Sequence, residues 1–243
     1  MLAFRQPRSW LLLLFIVAEI GFVAAARWQW QRGAFKDQRA REFAAALAAD
    51  DASSPLDFPA LDRLPGDFAA AHLHGRLLID RVYLHDNRIV EGEYGVDVYV
   101  PLAIDGGYVL VNLGWVAADR SRRISPVVPL LLPDFDARGL IAPAPAPGLM
   151  YSGRLAPAPS QPEQLRLDID PLMIAQEAPR LEPMLDRVFW PAPELASPFR
   201  RDWKPSGMAA DRHRGYALQW ASFAVASLIL FLMFHLRRKE VRP

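Results

Sequence analysis

Two apolar runs, one near each end of the chain, limit everything between them: Trp10 to Ala26 and Tyr216 to Leu236. A helix rising ~1.5 Å per residue needs roughly 17 to 25 residues to cross bilayer hydrocarbon, so both runs are long enough. Arg5 and Arg8 precede the first run, and Arg27, Trp28, Trp30 and Arg32 follow it. A cleaved signal peptide would share the basic start, the apolar stretch and a small-residue site such as Ala24-Ala25-Ala26. The length of the run favours a span, as do Trp10 and Trp28 at its two ends, placed like an aromatic belt. No charge interrupts the second run, and Arg237, Arg238, Lys239 and Arg242 close it. Short tails carry the orientation signal and both are basic, so both termini are expected in the cytoplasm. The expected division is a tail at 1–9, a transmembrane helix at 10–28, an outer domain at 29–212, a second transmembrane helix at 213–236 and a tail at 237–243. No Arg-rich, acid-poor transit peptide precedes the first helix, which points to a bacterial inner (plasma) membrane with the domain in the periplasm.

About 185 residues lie between the runs, enough for one well-cored domain. With 28 Lys+Arg against 27 Asp+Glu, the charge gives no reason to expect a nucleic-acid partner, and membrane lipid is the partner that the patterning indicates. No cysteine occurs, so disulfides, thiolate chemistry and Cys-based metal sites are excluded. The domain must be held by its core.

Arg32 to Ala49 has helical composition and is expected to continue the first helix into solvent. Asp50 to Phe68, rich in Asp, Ser and Pro, reads as a turn-laden loop. Strand signals follow at Ala71–Leu77, Val82–Leu84, Tyr94–Leu102 and Tyr108–Val116, where β-branched and aromatic residues alternate between turn formers. Asp105-Gly106-Gly107 predicts a hairpin, because these residues accept the positive φ of a tight turn. After a further strand-like stretch, Ala142 to Gly148 alternates Ala with Pro and reads as a stiff spacer, succeeded by a strand-like Leu149–Leu155. Gly153-Arg154-Leu155 echoes Gly75-Arg76-Leu77. Gln161 to Pro205 is Pro-rich, with a short helix expected at Pro171–Glu177. The fold class is a membrane protein with N- and C-terminal transmembrane α-helices flanking a mainly β extramembrane domain with small helices.

Motifs for catalysis are sparse. There is no Gly-rich phosphate loop, HExxH or GxSxG. His72-x-His74 would aim both rings at one face of a strand, but no carboxylate stands near it in sequence, so two half-exposed polar residues are the better reading than a metal site. His85-Asp86-Asn87 reads as turn chemistry. Glu19 falls near the middle of the first apolar run, where an ionisable residue is a functional hypothesis by default. Either its carboxyl bonds a hydroxyl on the other helix, where antiparallel packing puts Ser222 and Ser227 at the same depth, or it contacts another membrane protein. Ala217, Ala221 and Ala224 suit close helix packing. Helical spacing puts His213, Tyr216, Ala217 and Trp220 on one face at the outer interface. That group reads either as interfacial anchoring by Tyr and Trp beside a passive His, or as a haem-iron ligand with aromatic rings against the macrocycle.

Four islands add up to a family. Trp28-Gln29-x-x-Arg32-x-x-x-Lys36, Gly92-x-x-Gly95-x-x-Val98-x-x-Pro101-Leu102, Val109-Leu110-Val111-Asn112-x-Gly114-Trp115-Val116 and His213-x-x-Tyr216-Ala217-x-x-Trp220, in this order and between two helices, resemble the surfeit locus protein 1 family. Leu113 stands where the family usually has a basic residue, Ala26 stands where it has Gly, and charges at Asp211, Arg212 and Arg214 surround the His, which marks a divergent bacterial member. The resemblance implies a non-enzymatic assembly factor for haem-copper cytochrome c oxidase. Such a factor assists haem a insertion or stabilises an assembly intermediate of the catalytic subunit. That subunit and the haem a synthesis enzyme are the implied partners. The family's membrane-edge histidine, a proposed haem ligand, maps onto His213. Tyr216, Trp220 and Trp28 would then line the macrocycle, Arg32 would pair with a propionate, and Glu19 remains a candidate partner contact. The competing class is a membrane-tethered interaction or sensor module that binds no haem, although the short tails leave a sensor no room for an output module.

Overall fold

In the computed structural model, residues 2–4, 7–49, 54–119, 128–129, 132–145, 163–193, 197–205 and 207–238 are described. In chain order the elements are β1 (Leu2–Phe4), α1 (Ser9–Ala48), α2 (Phe58–Asp62), β2 (Ala69–Leu77), β3 (Val82–Val90), β4 (Glu93–Ile104), β5 (Gly107–Ala117), β6 (Asp134–Pro143), β7 (Glu163–Arg166), α3 (Pro171–Glu177), a 3-10 turn (Pro179–Leu181), β8 (Met184–Pro191), α4 (Ala210–His235) and β9 (Leu236–Arg238). They form two compact units, one of Met1–Arg41 with Gly207–Pro243 and one of Glu42–Ser206.

In the first unit, α1 and α4 run antiparallel in a constant register. Phe15 stacks on Phe231 with ring centroids 4.1 Å apart. Further along, Ser227 Oγ donates to Glu19 Oε1, Phe22 meets Trp220 at 6.0 Å, and His213 meets Gln29. The shielded positions on α4 include His213, Ala217, Trp220, Ala224, Ser227 and Phe231, alternating steps of four and three. On α1 the matching seam includes Phe15, Glu19, Phe22, Ala26, Gln29 and Gly33. That alternation is the 3.5-residue repeat that keeps one stripe of a helix on its neighbour. The large side chains off the seam, among them Leu13, Val17, Ile20, Leu218, Val225 and Met233, are exposed. The apolar window of α1 is 0% buried and that of α4 is 6% buried, unlike the core helix of a soluble domain, and both are candidate membrane-spanning helices. At the chain ends β1 pairs antiparallel with β9, Ala3 opposite Arg237.

The second unit is a seven-stranded mixed sheet in the order β2-β6-β8-β5-β4-β3-β7, with an added β2–β4 pairing. That pairing, Arg76 with Ala103 and Leu77 with Leu102, closes β2, β6, β8, β5 and β4 into a ring, with β3 and β7 continuing beyond it. Closure removes edges that would otherwise expose unpaired backbone. Each ring strand contributes to a first core, including Leu73, Val98, Val100, Val111, Ile141 and Phe189, all 0% exposed. The alternate residues Tyr99, Leu110 and Val188 form a second core with Ile174 and Ala175 of α3. Being buried on both faces explains why β4 and β5 read as near-continuous apolar runs. Phe43, from the last turns of α1, packs edge-on against Phe68 and Trp190.

The expected β4–β5 hairpin forms, with Ile104 opposite Gly107 and Gly106 at φ 86. The expected helix occupies Pro171–Glu177, started by Asp170, whose carboxylate accepts from the Leu172 and Met173 amides. The extension of the first helix runs continuously to Ala48. Four readings need correction. The loop before Phe68 contains α2, capped by Asp57, and Arg187 of β8 donates to the carbonyls of Leu61 in its last turn and of Leu64 and Gly66 beyond it. The Pro-rich tail of the domain holds β8, which pairs with both β5 and β6. Ala142 and Pro143 belong to β6 rather than to a spacer. His85-Asp86-Asn87 lies inside β3 at a bulge against β4, not in a turn. The remainder of the Ala-Pro segment from 146, the strand expected at Leu149–Leu155 with its Gly153 echo, and the basic residues Lys239 and Arg242 lie outside the described residues.

Candidate functional site

Two places carry polar side chains out of water, one in each unit. In the β-unit, Asn112 on β5 donates through Nδ2 to Tyr99 Oη at 2.9 Å and accepts through Oδ1 from the Gly114 amide at 2.9 Å. Gly114 sits at φ 126, and a Cβ there would come within 2.8 Å of the Arg200 carbonyl oxygen. Trp115 then pairs with Arg200 through both backbone groups, its indole lies 5.0 Å below the Arg200 guanidinium, and its Nε1 donates to the Arg88 carbonyl. Gly95 leaves the room that this indole fills. The Gly92-x-x-Gly95 and Val-Asn-x-Gly-Trp-Val islands are thus a single packing and hydrogen-bonding device.

Beside it, Arg88 Nε donates to Asp97 Oδ2 at 2.7 Å, and Tyr94 Oη donates to Asp86. His85, Asp86 and Asp97 are buried. Burial is the main cause pushing the His85 imidazole down to about 4, reinforced by the positive charge of Arg88 and opposed by Asp86 and by a hydrogen bond to the Leu167 backbone. Burial also raises the Asp97 carboxyl against the pull of Arg88. His72 and His74 do share a face of β2, and the register brings Asp136 of β6 opposite them. Asp136 Oδ1 is 2.6 Å from His72 Nε2 and Oδ2 is 3.6 Å from His74 Nδ1. Hydrogen bonding to His72 lowers the Asp136 carboxyl. The carboxylate absent from the neighbouring sequence is supplied by the adjacent strand, yet no group of three or more His, Cys, Asp or Glu among the described residues could hold a metal ion.

The second place is the outer end of the helix pair. His213 is only 8% exposed, and its Nδ1 lies 2.7 Å from Gln29 Oε1 on α1. Gly33, one turn further along α1, leaves the two backbones close: a Cβ there would stand 3.4 Å from the Ala210 carbonyl oxygen and 3.5 Å from His213 Cβ. Below, Trp220 rests against Phe22 and Phe223. Arg214 is held by Asp211 at 3.0 Å and by Asp37 of α1, so part of the charge around His213 is an ion-pair network that pins the same ends together. His213 Nε2 has no hydrogen-bond partner among the described residues.

The structure brings His213 and Trp220 into the helix seam but leaves Tyr216 on its flank, 44% exposed. The 3.5-residue repeat selects 213, 217 and 220 and passes 216 by. Ala221 is likewise off the seam, whereas Ala217 and Ala224 are on it. Trp28 is 59% exposed, and Arg32 lies over the Phe35 ring at 5.1 Å; both sit one residue away from the Gln29–Gly33 stripe. Glu19 takes its hydrogen bond from Ser227 within the helix pair, while Ser222 turns back to the Leu218 carbonyl. Gln29 is the residue that sequence reasoning passed over as a site. Its only signal was its place in the Trp28-Gln29 island.

Terminal antiparallel helices, each long and apolar enough to cross a membrane, joined by a mixed-sheet domain whose motif residues serve packing, are consistent with a membrane protein. A family model for the SURF1 family matches residues 16–225, most of the chain, and the chain belongs to that family. The SURF1 family is associated with cytochrome oxidase assembly and is an assembly-factor family, not a known enzyme family. No curated protein matches the chain.

Proposed function

We propose that this chain assists assembly of a haem-copper cytochrome oxidase by presenting haem a, as cargo, at the outer end of its two membrane helices, with His213 Nε2 as the ligand to iron. The carrying observation is the state of His213: shielded in the helix seam, tied at Nδ1 to Gln29, and without a described partner at Nε2. The surroundings suit a porphyrin. Trp28 and Tyr216 offer exposed rings beside the seam, and an exposed cation at Arg32 is available to a propionate. Orientation follows from charge. The basic tails face the cytoplasm and the β-unit faces the periplasm of a bacterial inner membrane. There the β-unit docks on the oxidase catalytic subunit or on the enzyme that supplies haem a. The role is delivery and stabilisation rather than catalysis.

The test is to purify the full chain from cells that make haem a and record its absorption. A Soret band that is lost in His213→Ala, while the variant keeps its fold and its oxidase partner, is the expected outcome. A colourless parent that still co-purifies with oxidase would overturn haem carriage and leave an interaction module that binds no haem.

A further inference from the structure

We infer that Gln29 is a positioning residue that fixes His213 as the Nδ1–H tautomer, so that Nε2 keeps its lone pair for a ligand. The argument is one of donors and acceptors. A neutral imidazole protonates one nitrogen and leaves the other as an acceptor, and which is which follows from the bond that one of them makes. The atom of Gln29 at 2.7 Å from Nδ1 is Oε1, which can only accept, so Nδ1 must carry the hydrogen. A free imidazole has no such preference imposed on it. The amide oxygen, part-buried in the helix seam, also fixes the ring plane, as hydrogen-bond acceptors behind metal-bound histidines do.

The helix pairing places this oxygen. Gln29 and Gly33 lie four residues apart on one stripe of α1, and Gly33 lets Ala210 and His213 approach at van der Waals distance. Arg214, bonded to both Asp37 and Asp211, holds the register at the same end. His213 therefore meets Gln29 because of the pairing of helices nearly the whole chain apart in sequence. The inference rests on the proposed function only for the identity of the ligand; the tautomer itself is a property of the ligand-free protein.

The test uses the full chain in detergent with 15N-labelled histidine, at a pH where imidazole is neutral. His213→Gln identifies the His213 signals among the five histidines. The expected spectrum shows Nδ1 protonated and Nε2 not. Gln29→Leu should shift His213 toward the Nε2–H form, and Gln29→Glu, which keeps an acceptor oxygen, should retain the Nδ1–H form. Circular dichroism establishes that each variant keeps its helices; should Gln29→Leu lose them, the parent and Gln29→Glu spectra decide. A parent protonated at Nε2, or a folded Gln29→Leu with an unchanged tautomer, overturns the inference. Haemin titration forms a second arm: binding about tenfold weaker in Gln29→Leu and near parental in Gln29→Glu is expected. Equal haemin affinity in the parent and in a tautomer-shifted Gln29→Leu overturns the positioning role. Failure of haemin to bind any form, with the Nδ1–H tautomer present, sinks the haem reading while the tautomer assignment stands.

Discussion

At Gly95 there is no space for one methyl group: a Cβ would fall 2.3 Å from the Trp115 ring and from the Val116 carbonyl oxygen. Neither neighbour is a flexible chain end, so Gly95→Ala must displace the indole that pairs β5 with Arg200. Overpacking of this kind costs about 1–3 kcal/mol. The expected result is a thermal midpoint lower by roughly 2 to 10 °C, read by near-ultraviolet circular dichroism, with the helix signal retained. His85 gives a second prediction. Its imidazole falls from the ordinary 6.5 to about 4 on folding, so below 6.5 the unfolded chain binds a proton that the folded chain refuses. The stabilising contribution is therefore complete above 6.5 and lost as pH falls toward 4, by at most about 3 kcal/mol. Asp97, raised by burial, acts in the opposite sense at the acid end of that window. Melting the parent and His85→Gln at pH 7 and pH 5 should show a drop in the parent and a smaller one in the variant. Equal drops would exclude His85 as the cause.

Between α1 and α4 the register makes a sharp prediction because the chain has no cysteine of its own. Phe15 and Phe231 stack at 4.1 Å, so the pair Phe15→Cys and Phe231→Cys should oxidise to an intramolecular disulfide, seen by mass spectrometry after alkylation. Phe15→Cys with Leu218→Cys, more than three turns out of register on α4, should not. At Gly33 the sign depends on size. An added methyl group meets its neighbours at ordinary contact distances, and alanine is the better helix former by about 1 kcal/mol. Gly33→Ala should leave the pair intact, while Gly33→Leu should push α4 away and expose His213 to modification by diethyl pyrocarbonate. The apolar runs were legible in sequence because a membrane-type helix is a local property. The hairpin at Asp105-Gly106 and the capped helix after Asp170 were legible because their turn chemistry is local too. Strand β8 was not, since Met184–Pro191 carries two charges, ends on a proline and is stabilised by a parallel partner from far upstream. The same limit hid Gln29, whose role depends on which residue of α4 lies opposite, and hid Asp136, which only strand register brings to His72 and His74.

For the molecule as a unit, connectivity decides what the helices can do. A chain that leaves through α1, builds a closed β-ring and returns through α4 puts both of its ends on one side of any membrane it crosses. The β1–β9 pairing at those ends agrees with that topology. In the proposed orientation the basic tails put these ends on the cytoplasmic side. The consequence is measurable with two single cysteines, one replacing Asp80 in the exposed turn between β2 and β3 and one appended after Pro243. In intact spheroplasts a membrane-impermeant maleimide should label Asp80→Cys and spare the appended cysteine, and permeabilisation should expose both. The reverse pattern would place His213 at the cytoplasmic surface. Labelling of both sites in intact spheroplasts would mean that the second apolar run does not span. The geometry at His213 does not tolerate the second result, because the seam that shields it needs α1 and α4 side by side in the same bilayer.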